Sequence, residues 1–125
     1  MKKRPRGKAR TPEGQLKQTV KDLLAVSGVW SFPILGGLGQ QPGIPDRLAC
    51  VPGAPCPQCG APAICPSCGH RHGIFSGMEM KAGRNRLTTD QESFGRLIRE
   101  NGGIFIEVRD PEDVVQALKL KVSLQ

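Results

Sequence analysis

Two near-identical runs, Cys56-Pro57-Gln58-Cys59-Gly60 and Cys65-Pro66-Ser67-Cys68-Gly69, constrain this chain more than any other feature. The Cys-x-x-Cys spacing lets two thiolates converge on one ion, and the glycine that follows lets backbone N–H groups approach sulfur. Four such thiolates in a tetrahedron favour Zn²⁺ in a closed structural site, and the spacer between the knuckles, Gly60 to Ile64, is shorter than in many zinc ribbons. The segment around them, residues 50–72, holds few large apolar side chains and many Pro and Gly. It has no core of its own, so zinc is expected to order it. The fifth cysteine, Cys50, reads as a small buried apolar residue. His70 and His72 read as surface side chains, with substitution for one thiolate as the other option. Paired Cys-x-x-Cys motifs fit metal binding in a reducing compartment better than disulfides, and neither pair sits at the strand-to-helix start of a thioredoxin-like redox motif.

The core must come from the flanking sequence. Thr11-Pro12-Glu13 opens a helix, with Thr11 as N-cap, Pro12 at the first turn and Glu13 complementing the dipole. Leu16, Val20, Leu23 and Leu24 recur at helical spacing until Ser27-Gly28 stops the helix. Strands are predicted near Val29–Leu35, before a Gly36-Gly37-Leu38-Gly39 loop, near Asp46–Cys50 and near Ile74–Ala82. Thr88–Asn101 predicts a helix with Phe94, Leu97 and Ile98 inward, ended by Asn101-Gly102-Gly103. Ile104–Val108 is β-branched and aromatic, hence a strand. A last helix starts at Asp110-Pro111 with Val114, Val115 and Leu118 inward, and Lys119 and Lys121 at its negative end. Helix, three strands, helix, strand, helix indicates a mixed α/β sheet covered by helices.

The chain has 125 residues, room for one domain, taken as residues 11–125 with the cysteine insert at 50–72. Its net charge is +7, and Lys2, Lys3, Arg4, Arg6, Lys8 and Arg10 supply six of those charges. A basic arm over residues 1–10 on a nearly neutral body fits attachment to a polyanion, and charge alone weighs that evenly against a merely solubilising terminus. No apolar stretch approaches a membrane span and no signal-type apolar region follows the basic start, so a cytoplasmic location is expected, bacterial or in a phage-infected cell.

In a strand, residues i and i+2 share a face, so Glu79 and Lys81 project together while Met80 turns into the packing. Asp46, on a neighbouring strand, would bring a second carboxylate. Two anionic oxygens suit Mg²⁺ or Mn²⁺. Such an ion, with an ammonium beside it, provides what phosphodiester hydrolysis needs: an activated water and neutralised phosphoryl charge. By composition alone, Glu-x-Lys is commonly a solvated charge pair and Pro-Asp a turn.

Four blocks, Gly43-Ile44-Pro45-Asp46, Met78-Glu79-Met80-Lys81-Ala82-Gly83-Arg84, Leu87-Thr88-Thr89-Asp90-Gln91-Glu92-Ser93-Phe94 and Gly102-Gly103-Ile104-Phe105-Ile106, follow in that order. They resemble the virus-type replication–repair nuclease family, VRR-NUC, a branch of the PD-(D/E)xK nucleases. The resemblance spans about Glu13 to Val108, without the cysteine insert. It implies a restriction-endonuclease-like mixed sheet flanked by helices, here with a small inserted zinc-binding loop. It implies Asp46 and Glu79 as ligands of Mg²⁺ or Mn²⁺, with the Met80 backbone carbonyl beside them, Lys81 positioning the attacking water, and Gln91 as the glutamine after the Glu-x-Lys strand. Glu13 would be the acid of the first helix, where Lys17 departs from the glutamine often found in the family. Two ordinary readings stay open: Glu13 as a first-turn acid, and Gln91 as the partner of Thr88 in a capping box. Arg84 and Arg86 follow Lys81 closely enough to touch phosphates, although a solvated turn is the commoner explanation.

The function these features imply is a metal-dependent DNA endonuclease. The resemblance points to branched or structured DNA, cut in the manner of a junction resolvase by a homodimer. The alternative is a non-catalytic zinc-ribbon DNA-binding protein. A single-strand binder is disfavoured, because only 4% of residues are aromatic and stacking platforms are few.

Overall fold

The computed structural model describes residues 11–36, 41–53, 56, 58–61 and 64–120. The basic arm, residues 37–40 of the glycine loop, Pro57 and Lys121 lie outside the described residues. Seven elements follow in the order α1 (Pro12–Val26), β1 (Trp30–Pro33), β2 (Arg47–Pro52), β3 (Gly73–Met80), α2 (Thr89–Glu100), β4 (Ile104–Val108) and α3 (Pro111–Leu118). The mixed α/β class is as the sequence implies. Among the described residues no helix is long and apolar enough to cross a membrane.

The helix boundaries follow their capping chemistry. Thr11 Oγ1 accepts from the Gly14 N–H at 3.0 Å and Pro12 occupies the first turn. At the other end Gly28, at φ +73°, lets the Val29 N–H reach back to the Leu24 carbonyl at 2.9 Å. Asp110 caps α3, and Asp113 returns the bond to the Asp110 N–H.

The four strands run in the order β1-β2-β3-β4. β1 and β3 each run antiparallel to β2, and β4 is parallel to β3, which α2 makes possible as the crossover. Pairing of Arg47 with Met78, Ala49 with Ser76 and Val51 with Ile74 sets one face of the sheet, continued by Ile104, Ile106 and Val108 on β4. Against that face pack Leu16, Val20, Leu23 and Leu24 of α1 and Val114, Val115 and Leu118 of α3, forming the main core. On the opposite face α2 packs against β3 and β4.

Two details differ from the sequence reading. The β2–β3 ladder runs past the expected strand end at Cys50, through Val51–Ile74 and Pro52–Gly73, and Cys50 is half-buried rather than buried. The cysteine-rich segment is therefore the connection of a β-hairpin. Leu97 is not inward but 56% exposed. The reason is Gly95, where an added Cβ would stand 2.6 Å from the Phe105 ring. Helix α2 comes down on the sheet through this glycine and Ile98, and that rotation turns Leu97 outward.

Candidate active site

The β2–β3 register puts Arg47 opposite Met78, so the residue before Arg47 faces the residue after Met78. Asp46 and Glu79 thereby meet. The Asp46 N–H donates to Glu79 Oε2 at 3.1 Å, and the Met80 N–H donates to Asp46 Oδ2 at 2.9 Å. Glu79 is only 4% exposed. Lys81 lies on the same face of β3, two residues on, with its Nζ 4.0 Å from Glu79 Oε1. Its N–H donates to the Val108 carbonyl at 2.9 Å, which extends the β3–β4 ladder under the lysine and fixes its direction.

Helix α2 supplies the fourth residue. The Gln91 side-chain oxygen accepts from the Thr88 N–H at 2.9 Å, and its amide Nε2 donates to Glu79 Oε1 at 2.9 Å. The Thr88 hydroxyl oxygen in turn accepts from the Gln91 N–H. The two uses open in the sequence are therefore simultaneous: one end of the amide closes the capping box and the other holds the carboxylate.

Burial pushes the Glu79 carboxyl up to about 7. The neighbouring Asp46 carboxylate adds to the rise, while the Lys81 ammonium and the Asp46 N–H oppose it. Two carboxylates this close, one of them out of water, hold a proton between them or need a cation. The Met80 N–H points towards Asp46, and in a strand the carbonyl of a residue lies on the same side as its N–H, so that oxygen also faces away from β4. Two carboxylates and a main-chain oxygen form a hard donor set, which fits Mg²⁺ or Mn²⁺ rather than a thiophilic ion.

From α1 it is Lys17, not Glu13, that reaches the site, with its Nζ 3.5 Å from Asp46 Oδ1. Glu13 lies one turn earlier on the helix and, among the described residues, has no hydrogen bond or ion pair to Asp46 or Glu79. Lys17, Lys21, Pro33, Asp46 and Arg47 line a cleft of about 350 Å³. Arg47 is buried, bonded to Ser31 Oγ at 3.0 Å, and burial lowers its pKa. Sequence reasoning assigned Lys17 no site role, because a lysine on a helix surface looks solvated until the strand end beneath it is known.

A second unanticipated residue is Arg109. Its guanidinium donates to the carbonyls of Gly83 at 3.1 Å and Asn85 at 2.6 Å, and pairs with Glu107 at 2.9 Å. It thus pins the loop that follows Lys81. Arg84 and Arg86 sit on this loop and are exposed.

The two cysteine knuckles repeat each other in hydrogen bonding. The Cys56 N–H donates to the Ala61 carbonyl and the Gly60 N–H to the Cys56 carbonyl, and Cys65 with His70 and Gly69 does the same, all four within 2.8–2.9 Å. Gly60 and Gly69 both take left-handed conformations, φ +76° and +73°. Backbone N–H groups of Cys59 and Gln58 lower the Cys56 thiol, and those of Cys68 and Ser67 lower Cys65. Each loop thus favours the thiolate of its first cysteine. His70 and His72 are exposed and stack edge to face at 5.1 Å. Among the described residues no three His, Cys, Asp or Glu side chains are already drawn into a metal-ligating group.

Comparison of the chain with protein-family models, with curated proteins and with solved structures returns no significant match.

Proposed function

We propose that the chain is a divalent-metal-dependent nuclease of the PD-(D/E)xK type, with a restriction-endonuclease-like sheet, that hydrolyses phosphodiester bonds of branched or structured DNA as a homodimer. The observation that carries this reading is the interlock of Asp46, Glu79 and Met80, with Lys81 4.0 Å from Glu79 and Gln91 bonded to it at 2.9 Å. An exposed charge pair would need neither the buried carboxylate nor the cross-strand bonds.

Asp46, Glu79 and the Met80 carbonyl would hold Mg²⁺ or Mn²⁺, which supplies neutralisation of phosphoryl charge and a water of lowered pKa. Gln91 holds Oε1 of Glu79 and the Asp46 N–H holds Oε2, so the carboxylate is fixed in orientation. Lys81, rigid at the end of its ladder, orients the attacking water and offsets the negative charge that grows on the phosphoryl oxygens as one P–O bond forms and another breaks. Lys17, paired with Asp46 at 3.5 Å, would be placed to meet a phosphate beside the ion. In the insert, Cys56, Cys59, Cys65 and Cys68 would hold one Zn²⁺ as a structural ion.

Calorimetric titration with Mn²⁺ tests the reading. The wild type should show a binding event that Asp46→Ala and Glu79→Ala each lose. Equal binding by all three proteins would remove these carboxylates from any metal site.

A further inference from the structure

Only five residues of the chain are aromatic, and three of them are exposed. Trp30 is 66%, Phe32 39% and Phe75 49% exposed. The register places all three on one face: Trp30 pairs with Cys50, Cys50 with Phe75, Phe32 with Leu48, and Leu48 with Gly77. That is also the face of Glu79 and Lys81, since Phe75, Gly77, Glu79 and Lys81 alternate along one strand. Among the described elements, helix α2 covers its β3–β4 half and none packs on the β1–β2 half. The Trp30 and Phe32 rings lie 5.2 Å apart at 49°.

The surroundings say what such a surface suits. Pro33, next to Phe32, lines the cleft in which Lys17, Lys21 and Arg47 gather beside Asp46. The flat apolar area thus shares its face with Lys81, the cationic cleft opens on the α1 face, and the two meet at the strand ends, at Asp46 and Glu79. A ligand complementary to both is anionic along its length and carries flat rings, with those rings free to stack. Unpaired nucleotides have this chemistry, whereas duplex bases are already stacked on one another. By strand geometry Phe32 and Phe75 each stand roughly 12–13 Å from Glu79, a span of a few nucleotides.

We propose that Trp30, Phe32 and Phe75 form a stacking platform for unpaired nucleobases, so that the substrate carries a single-stranded segment within a few nucleotides of the cleaved bond. This rests on the nuclease reading for its position beside the cleavage site. Low aromatic content, which counted against single-strand binding in the sequence, is offset by the concentration of those aromatics on one exposed face.

Trp30 is the only tryptophan, so its fluorescence reports on this surface alone. The full chain, without added divalent ion, should show Trp30 quenching by a short oligothymidylate but not by a duplex of equal length or by inorganic polyphosphate. Phe32→Ala and Phe75→Ala should each weaken oligothymidylate binding by about 5- to 100-fold. Their unchanged affinity for polyphosphate controls for folding. Unaltered Trp30 emission with oligothymidylate, beside retained metal-dependent cleavage of DNA, would overturn the platform and leave the nuclease standing. Quenching with the predicted losses, but no cleavage of any DNA, would support the platform and sink the nuclease. A concentration-dependent shift of Trp30 emission without DNA, with doubling of mass by light scattering, would show instead that two copies of the chain cover this face.

Discussion

The Asp46 N–H donates to Glu79 Oε2 at 3.1 Å, so the backbone of one carboxylate residue holds the side chain of the other. The pair is thereby tied to the β2–β3 register. This coupling makes the site sensitive to changes of charge, of packing and of backbone conformation, each in a different measurement.

Glu79 gives the charge test. Its carboxyl titrates near 7 in the folded chain and near the ordinary 4.5 once unfolded. Between those values the folded chain keeps a proton that the unfolded chain has lost, so stability falls as pH rises through the window, with no further change from this group above it. In metal-free buffer Glu79→Gln should therefore be more stable than the wild type by about 1–3 kcal/mol at pH 8 and indistinguishable at pH 4. Denaturant unfolding at both pH values measures the difference. An equal difference at both would show that Glu79 is not strained by its burial.

Gln91 separates helix capping from site chemistry. Gln91→Glu keeps an oxygen for the Thr88 N–H but replaces the donor to Glu79 with a third anion, so the pH at which Glu79 loses its proton should rise further. Gln91→Ala removes both bonds and should cost about 1–2 kcal/mol. Unfolding curves across the same pH range distinguish the two. Identical pH profiles for wild type and Gln91→Glu would contradict the shared role of the amide.

Gly43 provides the packing test. It sits at φ +79° with an added Cβ 2.2 Å from the Asp90 carbonyl oxygen, which clamps the loop before Asp46 against the start of α2. Gly43→Ala should cost about 2–4 kcal/mol and weaken Mn²⁺ binding by displacing Asp46. Gly28→Ala, at φ +73° with nothing near its Cβ, should cost only about 1 kcal/mol and leave Mn²⁺ affinity intact. Similar losses for both would mean that strain alone, not the clamp, matters.

Much of this was legible in the sequence because it depends on local rules. Thr11-Pro12, Asp110-Pro111 and the glycines after α1 and α2 mark helix ends by chemistry that needs no partner, and the period-two run through Glu79, Met80 and Lys81 placed acid and lysine on one face. Residues whose role depends on a distant element were not legible. Leu97 and Ile98 both fit an inward stripe, and only the contact of Gly95 with Phe105 decides between them. Lys17 and Arg109 become site residues through Asp46 and the Gly83 and Asn85 carbonyls, far away in the chain. The open aromatic face exists because α2 covers only half the sheet, which no periodicity encodes.

The insert should carry one zinc per chain, measured by elemental analysis of protein purified without chelator. Cys59→Ser should lower that content and make residues 53–72 the first site of proteolysis. Protein with no zinc but a fully protected insert would contradict the assignment of the four cysteines.

Single-turnover cleavage of linear, flapped and four-way DNA in Mg²⁺ or Mn²⁺, by wild type, Asp46→Ala and Lys81→Met side by side, tests the central claim most directly. Wild type should cut at least one branched form, and Asp46→Ala should lose cleavage together with metal binding. Lys81→Met keeps most of the side chain's length without its charge, so it should still bind metal and DNA but cut at least ~100-fold more slowly. Undiminished cleavage by Asp46→Ala, or metal-independent cleavage by the wild type, would contradict a nuclease site built on Asp46, Glu79 and Lys81.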